Sequence, residues 1–286
     1  MLIEARDLSY TYMPGTPFQV DALKKVNMSI ARGEFVGVIG ETGSGKSTLV
    51  QHFNGLLKPT GGELLVEGKN IWEGNTNLRT LRSRVALLFQ YPEHQLFEET
   101  VFKDVAFGPR NLGMSEAELE QRVRFGLASM GLDFDTYRER SPFHLSGGEK
   151  RRVAMAGIMA MRPEVVVLDE PTAGMDPAGR LKFMEQVSRL HREENLTVIL
   201  VTHNMEEIAR LAEKLFVFYR GELVMQGLPA EVFKSVDLIR ETGLEIPVLS
   251  DLLQQLLRKG KDIRTDLFTV PEVAEEILRF SREEWK

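Results

Sequence analysis

The sequence contains no cysteine among its 286 residues. Disulfide bridges, thiolate metal sites and cysteine nucleophiles are therefore excluded, and a reducing cytosol is the default compartment. No apolar run approaches the roughly 18–20 residues that a membrane-spanning helix requires. The formal net charge of −6 at pH 7 disfavours nonspecific binding to nucleic acid. With 43% hydrophobic and 27% charged residues, the composition describes a globular protein of one large domain plus an appendage, or of two modest domains.

Short apolar runs that end in glycine or a polar residue alternate with helical patterns. The runs typical of buried strands are "GEFVGVIG" (33–40), "RVALLFQ" (84–90), "EVVVLDE" (164–170) and "TVILVTH" (197–203). Helical patterns separate the later runs, and this alternation favours a mainly parallel sheet. The first forty residues also have the alternating pattern of strands, with a turn at Pro14 and Gly15.

Helical patterns dominate between about residue 92 and residue 160, which indicates an insertion into the sheet domain. Ser115 and Glu118 form a capping-box pattern and predict the start of one helix there. The tail is mostly helical as well. An amphipathic stripe runs along it through Leu249, Leu252, Leu253, Leu256 and Leu257. The stripe either packs on its own domain or forms a partner surface, and the pattern leaves both open.

The segment "GETGSGKST" matches the phosphate-loop pattern G-x-x-x-x-G-K-[ST] between a predicted strand and a predicted helix. Its residues are Gly40, Glu41, Thr42, Gly43, Ser44, Gly45, Lys46, Ser47 and Thr48. In such a loop the backbone N–H groups surround phosphate oxygens. Lys46 would lie near the outer phosphates and the Ser47 hydroxyl would bind Mg²⁺. The alternative, a glycine turn with a solvated lysine, is disfavoured by this context.

Two carboxylates follow the run "VVVL" and complete the chemistry that a phosphate-bound Mg²⁺ needs. Asp169 lies at the carboxyl end of the predicted strand, where α/β sheets bind their ligands, and is expected to hold Mg²⁺ through water. Glu170 is expected to point the other way, because side chains alternate along a strand. It could then face the attacking water as a general base. The alternative is a polar strand end before a turn.

A second anion-binding pattern occurs in "FHLSGGEKRR" (143–152). Two glycines follow a serine and precede a helical run, so the free N–H groups of a helix start are predicted to point at an anion. The sequence therefore predicts two phosphate contacts in one chain.

The segment "LSGGE", between the phosphate loop and "VVVLDEP", resembles the signature motif of ATP-binding-cassette (ABC) ATPases. Gln90 matches the Q-loop glutamine, Asp176 in "TAGMDP" the D-loop, and His203 the switch histidine of that family. Tyr12 is similar to the aromatic residue that stacks on adenine, and Tyr10 is the alternative. The other histidines are interpreted as structural: His52, His94, His144 and His191.

The resemblance implies an α/β P-loop NTPase fold with a mainly parallel sheet and an N-terminal antiparallel β subdomain. It implies a nucleotide-binding domain over residues 1–230, with the helical subdomain of about residues 92–160 inserted. Residues 231–286 would be a C-terminal helical extension involved in dimerisation. The implied cofactors are ATP and Mg²⁺.

The family pairs its nucleotide-binding domains head to tail, which would explain the two phosphate contacts. The residues that the resemblance places at the γ-phosphate of the partner's ATP are Ser146, Gly147 and Gly148. It also implies that Gln90 binds Mg²⁺ and contributes to catalysis, that His203 orients Glu170 and the water, and that Asp176 lies at the nucleotide. Glu149 stands where many signatures have glutamine, and no loss of function is expected from it.

The segment 89–113 and the tail resemble the ATPases of energy-coupling-factor and cobalt/nickel importers, and "GETGSGKS" and "EPTAGMDP" resemble the second, A-prime, type. A single ATPase used twice is the alternative.

The resemblance implies uptake of a vitamin or transition-metal ion, with no nucleic acid as partner. The partners would be a second ATPase, identical or a sibling, a transmembrane coupling subunit and a substrate-binding membrane subunit, at the cytoplasmic face of the cell membrane. Glu98, Glu99 and Asp104 would meet basic residues of the coupling subunit, or form a solvated acidic face.

Two rival classes use similar loops. A DNA-maintenance or ribosome-associated ATPase would have a coiled-coil insertion, a second cassette or a basic surface. A small-molecule kinase would lack "LSGGE" and the spaced histidine. The sequence favours neither.

Overall fold

The structure is a computed structural model that describes residues 1–74 and 76–284. In chain order, its strands are β1 (Ile3–Tyr12), β2 (Val20–Ile30), β3 (Phe35–Gly40), β4 (Gly61–Val66), β5 (Lys69–Asn70), β6 (Val85–Leu88), β7 (Val165–Asp169), β8 (Thr197–Val201), β9 (Lys214–Tyr219) and β10 (Glu222–Gly227). Its helices are α1 (Lys46–Phe53), α2 (Leu78–Arg84), α3 (Val101–Asn111), α4 (Glu116–Ser129), α5 (Phe134–Tyr137), α6 (Gly147–Ala160), α7 (Pro177–Glu194), α8 (Met205–Leu211), α9 (Pro229–Lys234), α10 (Val236–Glu241), α11 (Val248–Arg258) and α12 (Val270–Glu284).

A six-stranded sheet in the order β10-β9-β3-β8-β7-β6 forms the centre of the fold. All neighbours in it are parallel except β9 and β10, which are antiparallel. Every residue of β3, β6, β7 and β8 is buried, because both faces of the sheet are covered. This explains why these strands are continuous apolar runs in the sequence rather than alternating ones.

A four-stranded antiparallel sheet in the order β2-β1-β4-β5 packs against one face of the central sheet. The apolar cluster between the two sheets includes Ile3 and Val26 from the antiparallel sheet, Val38 from the central one, and Leu49 and Phe53 from α1. The helix that follows the phosphate loop is therefore fixed to the core between the sheets.

The opposite face of the central sheet carries the helical block. Its apolar cluster joins Val105 of α3, Val123 of α4 and Met155 of α6 to Leu168 of β7. The carboxylate of Glu118 accepts a hydrogen bond of 2.8 Å from the backbone N–H of Ser115, so the predicted capping box begins α4. The phosphate loop and the signature segment thus belong to cores on opposite faces of one sheet.

The last two helices have a small core of their own. Leu253, Ile263, Leu267 and Val273 are buried in it, and Leu249 and Leu256 pack against it from α11. The other two leucines of the predicted stripe, Leu252 and Leu257, are 41% and 46% exposed. The stripe is therefore split between an internal face and the surface.

The fold class predicted from the sequence is confirmed: a mainly parallel sheet, an antiparallel β subdomain, an inserted helical block and a helical tail. The numerical domain boundaries remain predictions, and residues 285 and 286 of the predicted extension lie outside the described residues. Over the described ranges, no helix combines the length and apolar character that crossing a bilayer requires.

Candidate nucleotide site

The carboxyl ends of the neighbouring strands β3, β8 and β7 open onto a cleft of about 550 Å³. This is the edge where parallel α/β sheets bind ligands. The cleft is lined by Tyr12, Val20, Asp21, Ala22, Thr42, Gly43, Gly45, Lys46, Ser47, Thr48, Gln90, Asp169, Glu170, Val201 and His203. The fold thus brings most of the predicted site residues together.

The phosphate loop connects β3 to α1 and is held by its own lysine. Lys46 Nζ donates hydrogen bonds of 2.8 Å to the carbonyl oxygens of Gly40 and Glu41. Gly45 has a φ of 104°, and a Cβ at this position would collide with the carbonyl oxygen of Ala22 on β2. Glycine is therefore required where the loop approaches the antiparallel sheet.

Burial dominates the electrostatics at the floor of the cleft. It lowers the pKa of Lys46, although the carboxylates of Glu170, Asp169 and Glu41 act in the opposite direction. It raises the pKa of Asp169, while a hydrogen bond from the Ser47 hydroxyl and the charge of Lys46 oppose that change. An added cation near Asp169 would offset the cost of burying this carboxylate.

The oxygen-bearing side chains at and around Asp169 are suitable ligands for Mg²⁺. Asp169 is the last residue of β7, and Ser47 and Gln90 line the cleft with it. Mg²⁺ prefers such oxygen ligands and usually completes its octahedron with substrate phosphates and water. Within the part of the chain that the structure describes, no three His, Asp or Glu side chains form a metal-binding group by themselves.

Glu170 and His203 form a pair at the edge of the cleft. His203 Nδ1 lies 2.9 Å from Glu170 Oε2, and the two side chains are 76% and 17% exposed. Glu170 lies one residue beyond the end of β7 and has a φ of 49°. Its direction is therefore set by a left-handed residue after the strand, and the expectation from strand alternation does not apply. A non-glycine residue in this conformation is strained, and such strain is concentrated at functional sites.

The structure separates the two tyrosine candidates. Tyr12 lines the cleft, is 38% exposed, and has its hydroxyl 3.2 Å from Thr48 Oγ1. Tyr10 instead packs against the core between the sheets, with its ring edge-on to Tyr12 and to His52. Of the two tyrosines, Tyr12 is thus the one that lies at the cleft.

The signature residues do not line the cleft of their own chain, as far as the described residues go. Ser146 is the N-cap of α6, and Gly147 and Gly148 form its first turn. The Glu149 carboxylate accepts hydrogen bonds from the Ser146 N–H at 2.9 Å and from the Tyr137 hydroxyl at 2.7 Å. The Ser146 hydroxyl and the other contacts lower the pKa of Glu149 to about 2. Glu149, which stands where many signatures have glutamine, therefore completes the capping box at the start of α6.

Four further predicted binding residues do not line the cleft. The carbonyls of Gly40 and Glu41 hold Lys46, and Ser44, within the same loop, is buried. Asp176 is the N-cap of α7 and accepts a hydrogen bond of 2.9 Å from the Gly179 N–H.

Two parts of this region were not predicted from the sequence. Val20, Asp21 and Ala22 form one wall of the cleft, and Glu207 lies on α8 behind His203. Glu207 is 7% exposed, and its burial raises its pKa. Glu207 follows His203 by four residues, but His203 lies before the start of α8, so helical periodicity could not have identified Glu207.

Three of the other four histidines have local structural contacts. His52 is fully buried with Nδ1 2.7 Å from the Thr48 carbonyl oxygen, and His191 Nδ1 lies 2.9 Å from that of Leu196. His94 stacks on Tyr91.

Comparisons with known proteins give related sequences and related structures. The family model described as ABC transporter matches residues 23–173. The energy-coupling factor transporter ATP-binding protein EcfA2 of Clostridium perfringens is 49% identical over 282 residues, covering 99% of both chains. The protein of the same name from Enterococcus faecalis is 44% identical, covering 99% of this chain and 98% of the relative.

Two solved structures are similar to most of this chain. One is cbiO1 from Clostridium perfringens, part of the ABC transporter complex cbiONQ, with a TM-score of 0.75, 37% identity and coverage of 88% of this chain and 98% of that chain. The other is a dimeric ATP-binding cassette in a post-hydrolysis state bound to ADP and Pi, with a TM-score of 0.70, 29% identity and coverage of 79% and 98%.

Proposed function

The chain belongs to the ABC transporter family, as its motifs predicted, and on this premise we propose that it binds and hydrolyses ATP as a subunit of an energy-coupling-factor importer. The full-length similarity to proteins named EcfA2 supports the second type of ATPase subunit. The observation that carries the proposal is the convergence of the phosphate loop, Asp169, Glu170 and His203 on one cleft.

Different groups of the chain have different roles in phosphoryl transfer. The phosphate-loop N–H groups and Lys46 hold the phosphates, and Tyr12 stacks on the base. Glu170 accepts the proton of the attacking water, and His203 keeps Glu170 in place. Ser47, Asp169 and Gln90 would hold Mg²⁺, directly or through water. When bound, Mg²⁺ neutralises charge on the phosphate oxygens.

Catalysis requires two ATPase subunits, identical or siblings, in a head-to-tail dimer. Ser146, Gly147 and Gly148 are exposed or half-buried and lie outside their own cleft, so they are available to a nucleotide held by the partner. A phosphate that bridges two subunits in a dry interface makes several charge-assisted hydrogen bonds, and its removal breaks them together. Asp176 lies in the same interface. The exposed leucines of the tail, Leu252 and Leu257, extend the contact between subunits.

A transmembrane coupling subunit docks beside the Q-loop segment. A groove of about 160 Å³ lies there, and the exposed rings of Phe97 and Phe107 meet edge-on at 5.0 Å on its wall. Of the three predicted acidic contacts, Asp104 accepts hydrogen bonds from the N–H groups of Phe97 and Glu98 and so shapes the groove itself. Glu99 pairs with Lys103 at 2.6 Å. The proposed docking surface therefore combines exposed aromatic rings with one acidic side chain, Asp104, that is held by backbone hydrogen bonds.

The proposed cargo is a vitamin or a transition-metal ion, bound by a separate membrane subunit, and the ATPase works at the cytoplasmic face of the membrane. Purification of the tagged chain in mild detergent should yield integral membrane subunits and a second ATPase. Copurification with DNA or ribosomes instead would contradict the transport function.

Mixing two damaged chains tests the shared site. A Ser146→Arg chain and a Lys46→Ala chain should each lack ATPase activity alone. Mixed, they should regain part of it, because one of the two clefts in a mixed dimer has an intact loop and an intact signature. No recovery in dimers shown to contain both chains would exclude the head-to-tail site.

A further inference from the structure

A single buried arginine, Arg151 on α6, connects three separate segments. Its Nε and Nη2 atoms donate to the two carboxylate oxygens of Glu93 at 3.0 and 3.1 Å. Its Nη1 atom donates to the carbonyl oxygen of Pro171 at 3.2 Å. The Arg151 side chain is 5% exposed and that of Glu93 19%, so water has little access to these contacts.

Each of these segments carries part of the proposed site. Glu93 lies in a short helical turn, Pro92–Gln95, that follows Gln90 closely. Arg151 lies one turn after the signature residues on the same helix. Pro171 is the residue directly after Glu170. The guanidinium thus joins the backbones that carry the Q-loop glutamine, the signature and the general base, although Arg151 is outside the lining of the cleft.

The chemistry of arginine suits this connection. The guanidinium is planar and presents its donors in a fixed fork, so it binds a carboxylate with two parallel bonds and still has a donor for a third group. In a buried site, displacement of one segment would break hydrogen bonds that water cannot replace. The three segments are therefore held in one relative arrangement.

We propose that Arg151 is a positioning residue for ATP hydrolysis, acting through Glu93 and Pro171 to align Gln90, the signature turn and Glu170. The inference rests on the proposed ATPase function. The buried pair of Arg151 and Glu93 could have either of two roles. If it only stabilises the fold, its loss affects stability alone. If it sets the catalytic geometry, its loss affects turnover more than ATP binding.

The test compares Arg151→Met with Arg84→Met in the full chain, each assembled with its copurifying partners. Arg84 is the control, since it also forms a bidentate pair, with Glu164 at 2.5 and 3.1 Å, but this pair lies at the amino ends of β6 and β7, opposite the ends that reach the cleft. We expect Arg151→Met to lower kcat about a hundredfold with little change in the KM for ATP, as small displacements of catalytic groups do. Arg84→Met should lower only the thermal midpoint.

A conservative variant provides a second readout. Arg151→Lys keeps the positive charge but has no fork, so it cannot hold both oxygens of Glu93 and the Pro171 carbonyl at once. Its kcat should remain below that of the wild type even where its thermal midpoint is close to it. If Arg151→Met does not fold, the kcat of Arg151→Lys alone tests the positioning role.

Three results would overturn the inference: a wild-type kcat in Arg151→Met, an equal loss of kcat in Arg84→Met, or full activity in Arg151→Lys. Failure of the proposed function looks different, because the wild-type complex itself would then hydrolyse no ATP.

Discussion

The carboxylate of Glu170 is held 2.9 Å from the ring of His203, with the acid largely enclosed and the histidine largely exposed. The acid can therefore work in a protected position, while the ring remains open to a group that arrives from outside the chain. This arrangement suits a γ-phosphate that is covered only when a partner subunit docks.

Glu170→Gln should bind ATP normally and hydrolyse it slowly. The amide keeps the size of the side chain but cannot accept the proton of the water, and loss of a general base lowers rates by about 10²- to 10⁴-fold. Phosphate release measures turnover, and size-exclusion chromatography with ATP should show dimers that persist. Unchanged turnover would rule out the general-base role.

Tyr12→Ala should weaken ATP binding, because stacking of a base on an aromatic ring contributes about 1–3 kcal/mol. Tyr12→Phe should retain most of this affinity, since its ring is preserved and only the hydroxyl contact with Thr48 is lost. Tyr10→Ala is the control, and it should lower the thermal midpoint more than the affinity because Tyr10 packs on the core. Equal affinity losses in Tyr10→Ala and Tyr12→Ala would contradict this assignment, and titration with a fluorescent ATP analogue measures both.

Glu149→Gln should keep ATPase activity near neutral pH but change stability in acid. The pKa of Glu149 is lowered from 4.5 to about 2, so between these values the unfolded chain binds more protons than the folded one. The contribution of Glu149 to stability is therefore present above pH 4.5 and is lost as the pH falls toward 2. Urea unfolding above and below pH 4.5 should show a smaller acid loss in Glu149→Gln than in the wild type.

Glu118→Gln is the matched control for that experiment. Glu118 also forms a capping box, with Ser115, but has no counterpart of the hydrogen bonds that Glu149 accepts from Tyr137 and Arg140. We expect its acid profile to be closer to that of the wild type. Identical profiles for both variants and the wild type would show that the Glu149 contacts contribute nothing to acid stability.

Gly243→Ala should displace the exposed Glu41 side chain at the start of the phosphate loop. Gly243 has a φ of 75°, and a Cβ there would collide with the carboxylate of Glu41. Gly260→Ala is a matched control, because its φ is 80° and no atom lies within 4 Å of the added Cβ. Both variants should lose about 1–2 kcal/mol of stability from the left-handed conformation. Only Gly243→Ala should also weaken ATP binding, which calorimetry measures. Equal affinities in the two variants would show that the contact between residue 243 and Glu41 has no effect on ATP binding.

Local patterns in the sequence predicted the central strands and the phosphate loop, because buried parallel strands are continuous apolar runs and the loop has a fixed glycine spacing. The ends of the strands were less well predicted. Gln90 and His203 lie two residues beyond β6 and β8 rather than in them. Glu170 obtains its direction from a positive φ, which no residue alternation encodes.

Contacts between distant segments could not be read from local patterns. Arg151 and Glu93 are separated by 58 residues, and neither lies in a pattern that distinguishes a buried pair from two solvated charges. The wall formed by Val20, Asp21 and Ala22 depends on how the antiparallel sheet packs on the phosphate loop. Such features depend on tertiary packing, which the periodicity of one segment does not specify.

The cluster of Leu253, Ile263, Leu267 and Val273 shares no buried side chain with the two larger clusters, among the residues described. Small cores open locally at a lower free energy than large ones. Amide hydrogens of the last two helices should therefore exchange with deuterium sooner than those of the central sheet. Because burial by another subunit would slow that exchange, the labelling pattern of this tail would report, within the intact importer, when it is covered.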